Sequence, residues 1–269
     1  MTGTADASGE PHVGPLVADE HIPPWLRRLA GDVTAVADTV RNRGGDRSRW
    51  VTTPSGNRRA AAVLVLFGGD AQPDPDYPGG LPFDADVLLT ERAATLRQHS
   101  GQVAFPGGAF DSGENYPVGT ALREAAEETG LSSTGVDVIA TLPSCAVPVS
   151  GFDVRPVIAH WREPSPVRVM DPGETSRVVR VNLRSLLSPE NRFQVRRSVA
   201  GAKTYQGPAF FVDGLLVWGF TGGLLAAMSA AAGWDVPWDV SDVRPLDEMI
   251  ERAGSAQLGG FTPEPGGDR

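Results

Sequence analysis

Cysteine and lysine are nearly absent from this chain, which has Cys145 and Lys203 and no others. A lone cysteine excludes an internal disulfide and argues against a cysteine-based zinc site. Positive charge is also short. Lys and Arg total 24 against 33 Asp and Glu, a net charge of −9, whereas a nucleic-acid surface needs a basic face. No nucleic-acid partner is expected. An anionic small molecule stays open, because a metal ion and a few local arginines can reverse the field.

Long apolar runs are scarce as well. One uncharged stretch, Leu215–Ala232, reaches the length of a membrane span. Its Gly219, Thr221, Gly222, Gly223 and Ser229, and the modest apolarity of its alanines, weaken insertion. A buried helix over 218–232, ended by Gly233, fits better, and no membrane partner is expected. The N-terminus has no basic region followed by an apolar stretch, so no signal peptide is visible and the cytoplasm is the default location. There is no internal repeat. The chain has 269 residues and is 41% hydrophobic, which suits one large domain or a domain with appendages.

What the chain does have is the stretch Phe105–Leu131, FPGGAFDSGENYPVGTALREAAEETGL. It opens on a turn at Pro106-Gly107-Gly108, carries an isolated Glu114, and closes on an acidic helix stopped by Gly130. Pro117 suits a first helical turn and Gly130 the position just past the last. At about 100° per residue, Glu124, Glu127 and Glu128 share an arc roughly 100° wide. Val118, Leu122, Ala125, Ala126 and Thr129 fall opposite, where they can pack on a sheet. Counting outward from the arc, positions 120, 121, 131 and 132 are Thr, Ala, Leu and Ser. The arc is therefore expected to lack basic neighbours, and its i,i+4 repulsion of ~0.2–0.5 kcal/mol per pair to go unrelieved. A divalent cation would relieve it. Hard oxygen ligands on a rigid element suit Mg²⁺ or Mn²⁺, with positions left open for phosphate oxygens and water. A solvated acidic face would explain the glutamates, but not the Gly-Gly turn, Glu114 and the adjoining Arg123 together.

Gly108, five residues, Glu114, eight residues, then Arg123-Glu124-Ala125-Ala126-Glu127-Glu128-Thr129-Gly130-Leu131 resembles the signature of the Nudix hydrolases. The usual interval between the Glu and the Arg is seven, and the coenzyme A diphosphatase branch has the same extra residue. The upstream Leu88-Leu89-Thr90-Glu91-Arg92, Arg97, Gly101 and Phe105-Pro106-Gly107-Gly108 resemble that branch's LLTxRS…R…G…FPGG pattern, with Ala93 where Ser is usual. Gly207-Pro208-Ala209-Phe210 and Val217-Trp218-Gly219-Phe220-Thr221 are similar to it too. The likeness covers about 58–240.

The resemblance implies an α/β fold, a Nudix-type α/β/α sandwich around a mixed sheet, here with an added N-terminal helical segment. It implies hydrolysis of a pyrophosphate bond, with coenzyme A or an acyl derivative as substrate and 3′,5′-ADP and 4′-phosphopantetheine (or its acyl form) as products. Glu124, Glu127 and Glu128 would hold Mg²⁺ or Mn²⁺ with the Gly107 carbonyl, and Glu114 would bind a second metal or hold the loop. Arg123 would orient the carboxylates. Glu174, before a short strand, is the candidate for one further metal-site acid from a distal loop, with an ordinary surface Glu as the alternative. Arg92 and Arg97 offer planar forks for phosphate oxygens and, with Gly107 and Gly108, would bind substrate. Ala93 keeps open another nucleoside diphosphate derivative such as ADP-ribose, a dinucleotide or a nucleoside triphosphate. A catalytically silent nucleotide-binding domain is the reading from a different class.

Around this centre, residues 1–20 are expected to be a disordered tail and 21–57 a helical extension. The main domain is expected over 58–253 and a disordered Gly/Pro-rich tail over 254–269. Trp25, Leu29, Val33, Val36 and Val40 recur at helical spacing, which predicts one amphipathic helix over 24–42. It is read as packing on the main domain, with a lid or a homodimer contact as the alternative. Strands are expected at 58–67, 86–92, 136–142, 154–161 and 177–181, joined by loops at 68–84 and 143–153. A short terminal helix is expected at 246–252. Ser144, Cys145 and His160 lack a nucleophile-elbow pattern and are read as loop polarity, not a triad.

Overall fold

The computed structural model describes residues 11–42, 58–93, 101–147, 151–199 and 203–259. In chain order the elements begin with β1 (Gly14–Pro15), α1 (Pro24–Gly31), α2 (Val33–Asn42), β2 (Arg59–Gly68), β3 (Asp86–Arg92), β4 (Val103–Ala104) and β5 (Gly107–Ala109). There follow α3 (Val118–Thr129), β6 (Val136–Thr141), β7 (Cys145–Val147), β8 (Phe152–Trp161), β9 (Thr175–Asn182) and α4 (Leu183–Leu187). The last are β10 (Arg192–Val199), β11 (Lys203–Val212), β12 (Leu215–Val217), α5 (Gly219–Ala232), β13 (Val243–Pro245) and α6 (Leu246–Gly259).

The run RAAAVLVLFG forms β2 because a strand covered on both faces has no position left for a polar residue. Ala62, Leu64 and Leu66 join the core under α3. Val65 and Phe67 join the larger core shared with α1, α2 and α5. In β8, Val157, Ala159 and Trp161 face the first core and Ile158 the second. β2 and β8 pair in parallel from Arg59↔Phe152 to Phe67↔His160, while β3 and β5 pair antiparallel to β2. The sheet is therefore mixed, in the order β1-β6-β8-β2-β3-β4, with β5, β7 and β9 off that path. Helices cover both of its faces, so the α/β/α sandwich around a mixed sheet is borne out.

Four features depart from the sequence reading. The single helix over 24–42 is two, because Asp32 leaves helical geometry (φ −128°, ψ 62°). Its side chain accepts from Thr34 Oγ1 at 2.9 Å and Ala35 N at 3.0 Å, capping α2. Residues 11–20, placed in a disordered tail, include β1, which pairs with β6. They are pinned by Leu16 N to Ile139 O at 2.8 Å. So short an edge strand is held by backbone bonds and leaves no hydrophobic period to read. Arg192–Val199 and Lys203–Val212 pair antiparallel as β10 and β11, in a second sheet ordered β12-β11-β10-β13. Arg196 and Arg197 hid it by interrupting the apolar alternation of Phe193 and Val195. Finally, α6 continues to Gly259, into the stretch assigned to the second tail.

The N-terminal helices are tied to the main core. Trp25 donates from its indole to Asp70 O at 3.0 Å, and the Trp234 indole donates to Trp25 O at 3.2 Å. Helix α5 approaches the second sheet at Gly222, where a Cβ would lie 3.0 Å from the carbonyls of Pro208 and Val217. Among the described residues no helix is long and apolar enough to cross a membrane.

Candidate active site

Helix α3 starts after Pro117 and stops at Gly130, whose φ of 69° suits a residue without a Cβ. Its buried residues are Thr120, Ala121, Ala125 and Thr129, with Val118 and Leu122 only partly covered. The buried stripe is thus turned from the expected one, toward the acids. At about 100° per residue Glu128 falls roughly 20° from Ala121 around the helix, and Glu124 is the next nearest acid. These two are partly covered, while Glu127 is exposed.

The Gly107-Gly108 pair, expected as a turn, lies in strand β5 and fills the space beside them. A Cβ on Gly107 would overlap the Ala62 carbonyl and Val63 Cα, and one on Gly108 would overlap the Glu124 carboxylate. Two bare glycines let β5 lie between β2 and α3. The Gly107 N–H donates to Glu128 Oε2 at 3.2 Å.

The expectation that the arc lacks basic neighbours is wrong. Arg123 stands four residues before Glu127, and its guanidinium serves Glu114, Glu124 and Glu127. Nη1 donates to Glu127 Oε2 at 2.8 Å, and Nη2 donates to Glu124 Oε1 at 2.9 Å and Ala109 O at 3.0 Å. Nε donates to Glu114. Arg123 directly precedes the arc, and only its i,i+4 relation to Glu127 reveals it as a neighbour. Glu114 also accepts from Thr120 Oγ1 at 2.6 Å and Asp111 N at 3.3 Å. Thr120, buried and three residues before Arg123, is a site residue the sequence reading missed; that spacing on one helix face was the available signal.

The electrostatics divide the carboxylates. The Arg123 guanidinium, helped by Thr120, holds the Glu114 carboxyl down at about 2. Burial pushes Glu124 up, against the pull of Arg123. Burial pushes Glu128 up to about 7. The Gly107 N–H opposes that rise, the Glu124 charge adds to it, and Arg92 and Glu174 act in opposite senses. Arg92 and Glu174 therefore lie within the field of Glu128. Glu174 itself is exposed, with its carbonyl accepting from Ala93 N at 2.8 Å. Arg97 lies outside the described residues.

Ser144, Cys145 and His160 do not converge on one another as a triad would. His160 stacks edge-on to Trp25 and reaches Gly69 O at 3.4 Å, and Cys145 is buried with its thiol on Ala146 O at 3.7 Å.

As a donor set the cluster fits a hard divalent cation. It offers several carboxylate oxygens, among them those of two acids that burial pushes up, beside a strand segment with no side chains to obstruct an approach. The carboxylates are not gathered about one point, and among the described residues no three acidic, His or Cys side chains form a ready cage. Arg123 supplies the positive charge at the centre.

Residues 57–200 match the family model of the NUDIX domain. The chain belongs to the Nudix family. It is 33% identical over 183 residues to the uncharacterized Nudix hydrolase NudL of Salmonella heidelberg, covering 68% of this chain and 88% of that protein. Over 102 residues it is 47% identical to the uncharacterized Nudix hydrolase NudL of Cronobacter sakazakii, covering 38% of this chain. That alignment spans about half the relative's length, 46%. Among solved structures it is similar to a Nudix hydrolase from M. smegmatis, RenU, at 30% identity. The likeness covers 51% of this chain and 81% of that one, with a TM-score of 0.37. The Nudix signature stretch of this chain is the one that β5 and α3 fold into the carboxylate cluster.

Proposed function

We propose that this Nudix protein is a metal-dependent diphosphohydrolase that cleaves the pyrophosphate bond of coenzyme A or acyl-coenzyme A. The products would be 3′,5′-ADP and 4′-phosphopantetheine or its acyl form. One observation carries the hydrolytic reading: the bare Gly107-Gly108 segment of β5 lies directly on the carboxylates of Glu124 and Glu128. Substrate phosphates can approach such a segment without meeting a side chain.

Glu124, Glu127, Glu128 and the Gly107 carbonyl would hold Mg²⁺ or Mn²⁺, with Glu114 and Glu174 as further acids. A divalent ion there supplies charge neutralisation for the diphosphate and acidifies water. Arg123 keeps the carboxylates oriented through its four acceptors, Glu114, Glu124, Glu127 and Ala109 O. Arg92, in the field of Glu128, and Arg97 would take phosphate oxygens by their planar forks. Water adds to one phosphorus, the bridging oxygen leaves with the other, and two phosphomonoesters result. The preference for coenzyme A rests on the Leu88–Arg92 and Phe105–Gly108 motifs and the extra residue between Glu114 and Arg123.

The test is a panel of coenzyme A, acyl-coenzyme A, ADP-ribose, a dinucleotide and a nucleoside triphosphate, each with Mg²⁺ and Mn²⁺, scored by phosphomonoester release. Coenzyme A turnover above the rest supports the assignment. Turnover at least about tenfold below that of ADP-ribose reverses it. Tight binding without any turnover identifies a sensor domain.

A further inference from the structure

Residues 162–174 connect β8 to β9 without helix or strand, and their three prolines, Pro164, Pro166 and Pro172, give the look of a plain connector. Their hydrogen bonds say otherwise. An α-helix leaves its last four carbonyls without partners, and the last turn of α3 carries no basic side chain to meet them. The connector meets two of them with its own backbone. Arg168 N donates to Thr129 O at 2.9 Å and Met170 N to Glu128 O at 3.4 Å. Met170 lies over Gly130, where a Cβ would come within 3.0 Å of its sulfur. Val167 packs against the core under α3. Upstream the segment is anchored by Glu163 N to Gly135 O at 3.1 Å and by Ser132 N to Ser165 Oγ at 3.2 Å.

Directly after Met170 the chain turns on Asp171. Its carboxylate accepts from Gly173 N at 2.7 Å, and its carbonyl accepts from Glu174 N at 3.1 Å and Thr175 N at 2.9 Å. Glu174 is fixed from its other side by the bond from Ala93 N, next to Arg92. Three residues thus separate Met170, whose N–H holds the Glu128 backbone, from Glu174, and Asp171 sets the path between them.

We propose that Asp171 is a positioning residue of the carboxylate site: its turn, with the strap clamped to the end of α3, places Glu174 against Glu128 so that both address one cation. The inference rests on the metal-dependent reading above. A connector that merely joined two strands would not need to bond the carbonyl of Glu128 itself, nor to hold Glu174 by both its N–H and its carbonyl.

The experiment titrates the full chain with Mn²⁺ alone and follows free Mn²⁺ by electron paramagnetic resonance, with a thermal melt on each sample. Variants are Asp171→Ala, Asp171→Asn, Glu174→Gln and the double variant Asp171→Ala/Glu174→Gln. Supporting partners of a metal ligand are worth about 10–100-fold in affinity, so Asp171→Ala is expected to weaken Mn²⁺ at least about tenfold. Asp171→Asn, which keeps the Oδ1 acceptor, is expected to bind as the unaltered protein does. In the Glu174→Gln background Asp171→Ala is expected to add nothing, because both act through one carboxylate. The inference is overturned if Asp171→Ala binds Mn²⁺ normally, if Asn fails to restore binding, or if the loss is undiminished in the Glu174→Gln background. An unaltered protein that binds no Mn²⁺ removes the metal reading itself and this inference with it.

Discussion

Glu128 and Gly107 meet across the gap between α3 and β5, with the glycine N–H 3.2 Å from the carboxylate. This one donor, from a residue with no side chain, is what stabilises an acid that burial raises to about 7.

A metal-free stability profile follows from that pairing. The folded Glu128 holds its proton more tightly than the unfolded chain, so between about 4.5 and about 7 the native state binds more protons. Stability then falls as pH rises through this window. Glu128→Gln, uncharged throughout, is expected to remove that slope in urea unfolding of the metal-free protein. The same substitution, and Glu127→Gln, are expected to lower metal-dependent kcat/KM by about 100-fold or more, since losing a ligand outweighs losing its support. Undiminished activity in both would contradict the assignment of these residues to the metal.

Gly108 tests the closeness of β5 and α3. Alanine there would meet the Glu124 carboxylate, the free end of a flexible side chain, which can swing aside while β5 and α3 stay in place. Gly108→Ala should therefore leave the urea midpoint nearly unchanged and depress metal-dependent activity by displacing Glu124. A variant with normal stability and normal turnover would show that the contact is slack.

Glu114 behaves in the opposite sense from Glu128. Held at about 2 by Arg123 against an ordinary 4.5, its contribution is complete above 4.5 and is lost as pH falls from there toward 2. The unfolded state binds the extra proton in that range, so stability declines with acidification. Glu114→Gln should unfold at lower urea at pH 7 and show a flatter decline below pH 4.5, read as the urea midpoint against pH. Parallel curves for the two proteins would separate Glu114 from the Arg123 network.

Much of the fold was legible because its strands are covered on both sides. Runs such as Ala60–Phe67 and Val87–Leu89 read as buried strands, and β3 extends past its apolar run to Asp86 and Arg92. The helix ends at Gly130 and Gly233 were legible for a local reason, since both residues take positive φ. The split at Asp32 was not, because a side chain capping its own next turn competes with a hydrophobic period that runs straight through it. In the site, spacing alone grouped Glu124, Glu127 and Glu128, but it could not rank them. Burial did that, by rotating α3 so that Ala121 rather than Leu122 lies deepest.

The sequence by itself determined the acidic helix, the glycine pair before it and the family they mark, because these depend on neighbours a few residues apart. Tertiary structure alone decided that the pair lies in a strand, that Arg123 sits at the centre of four carbonyl and carboxylate partners, and that a proline-rich connector packs on the end of α3. It also decided that burial raises Glu124 and Glu128. Those facts depend on which groups are shut away from water together, and that exclusion is set by chain segments far from one another in the sequence.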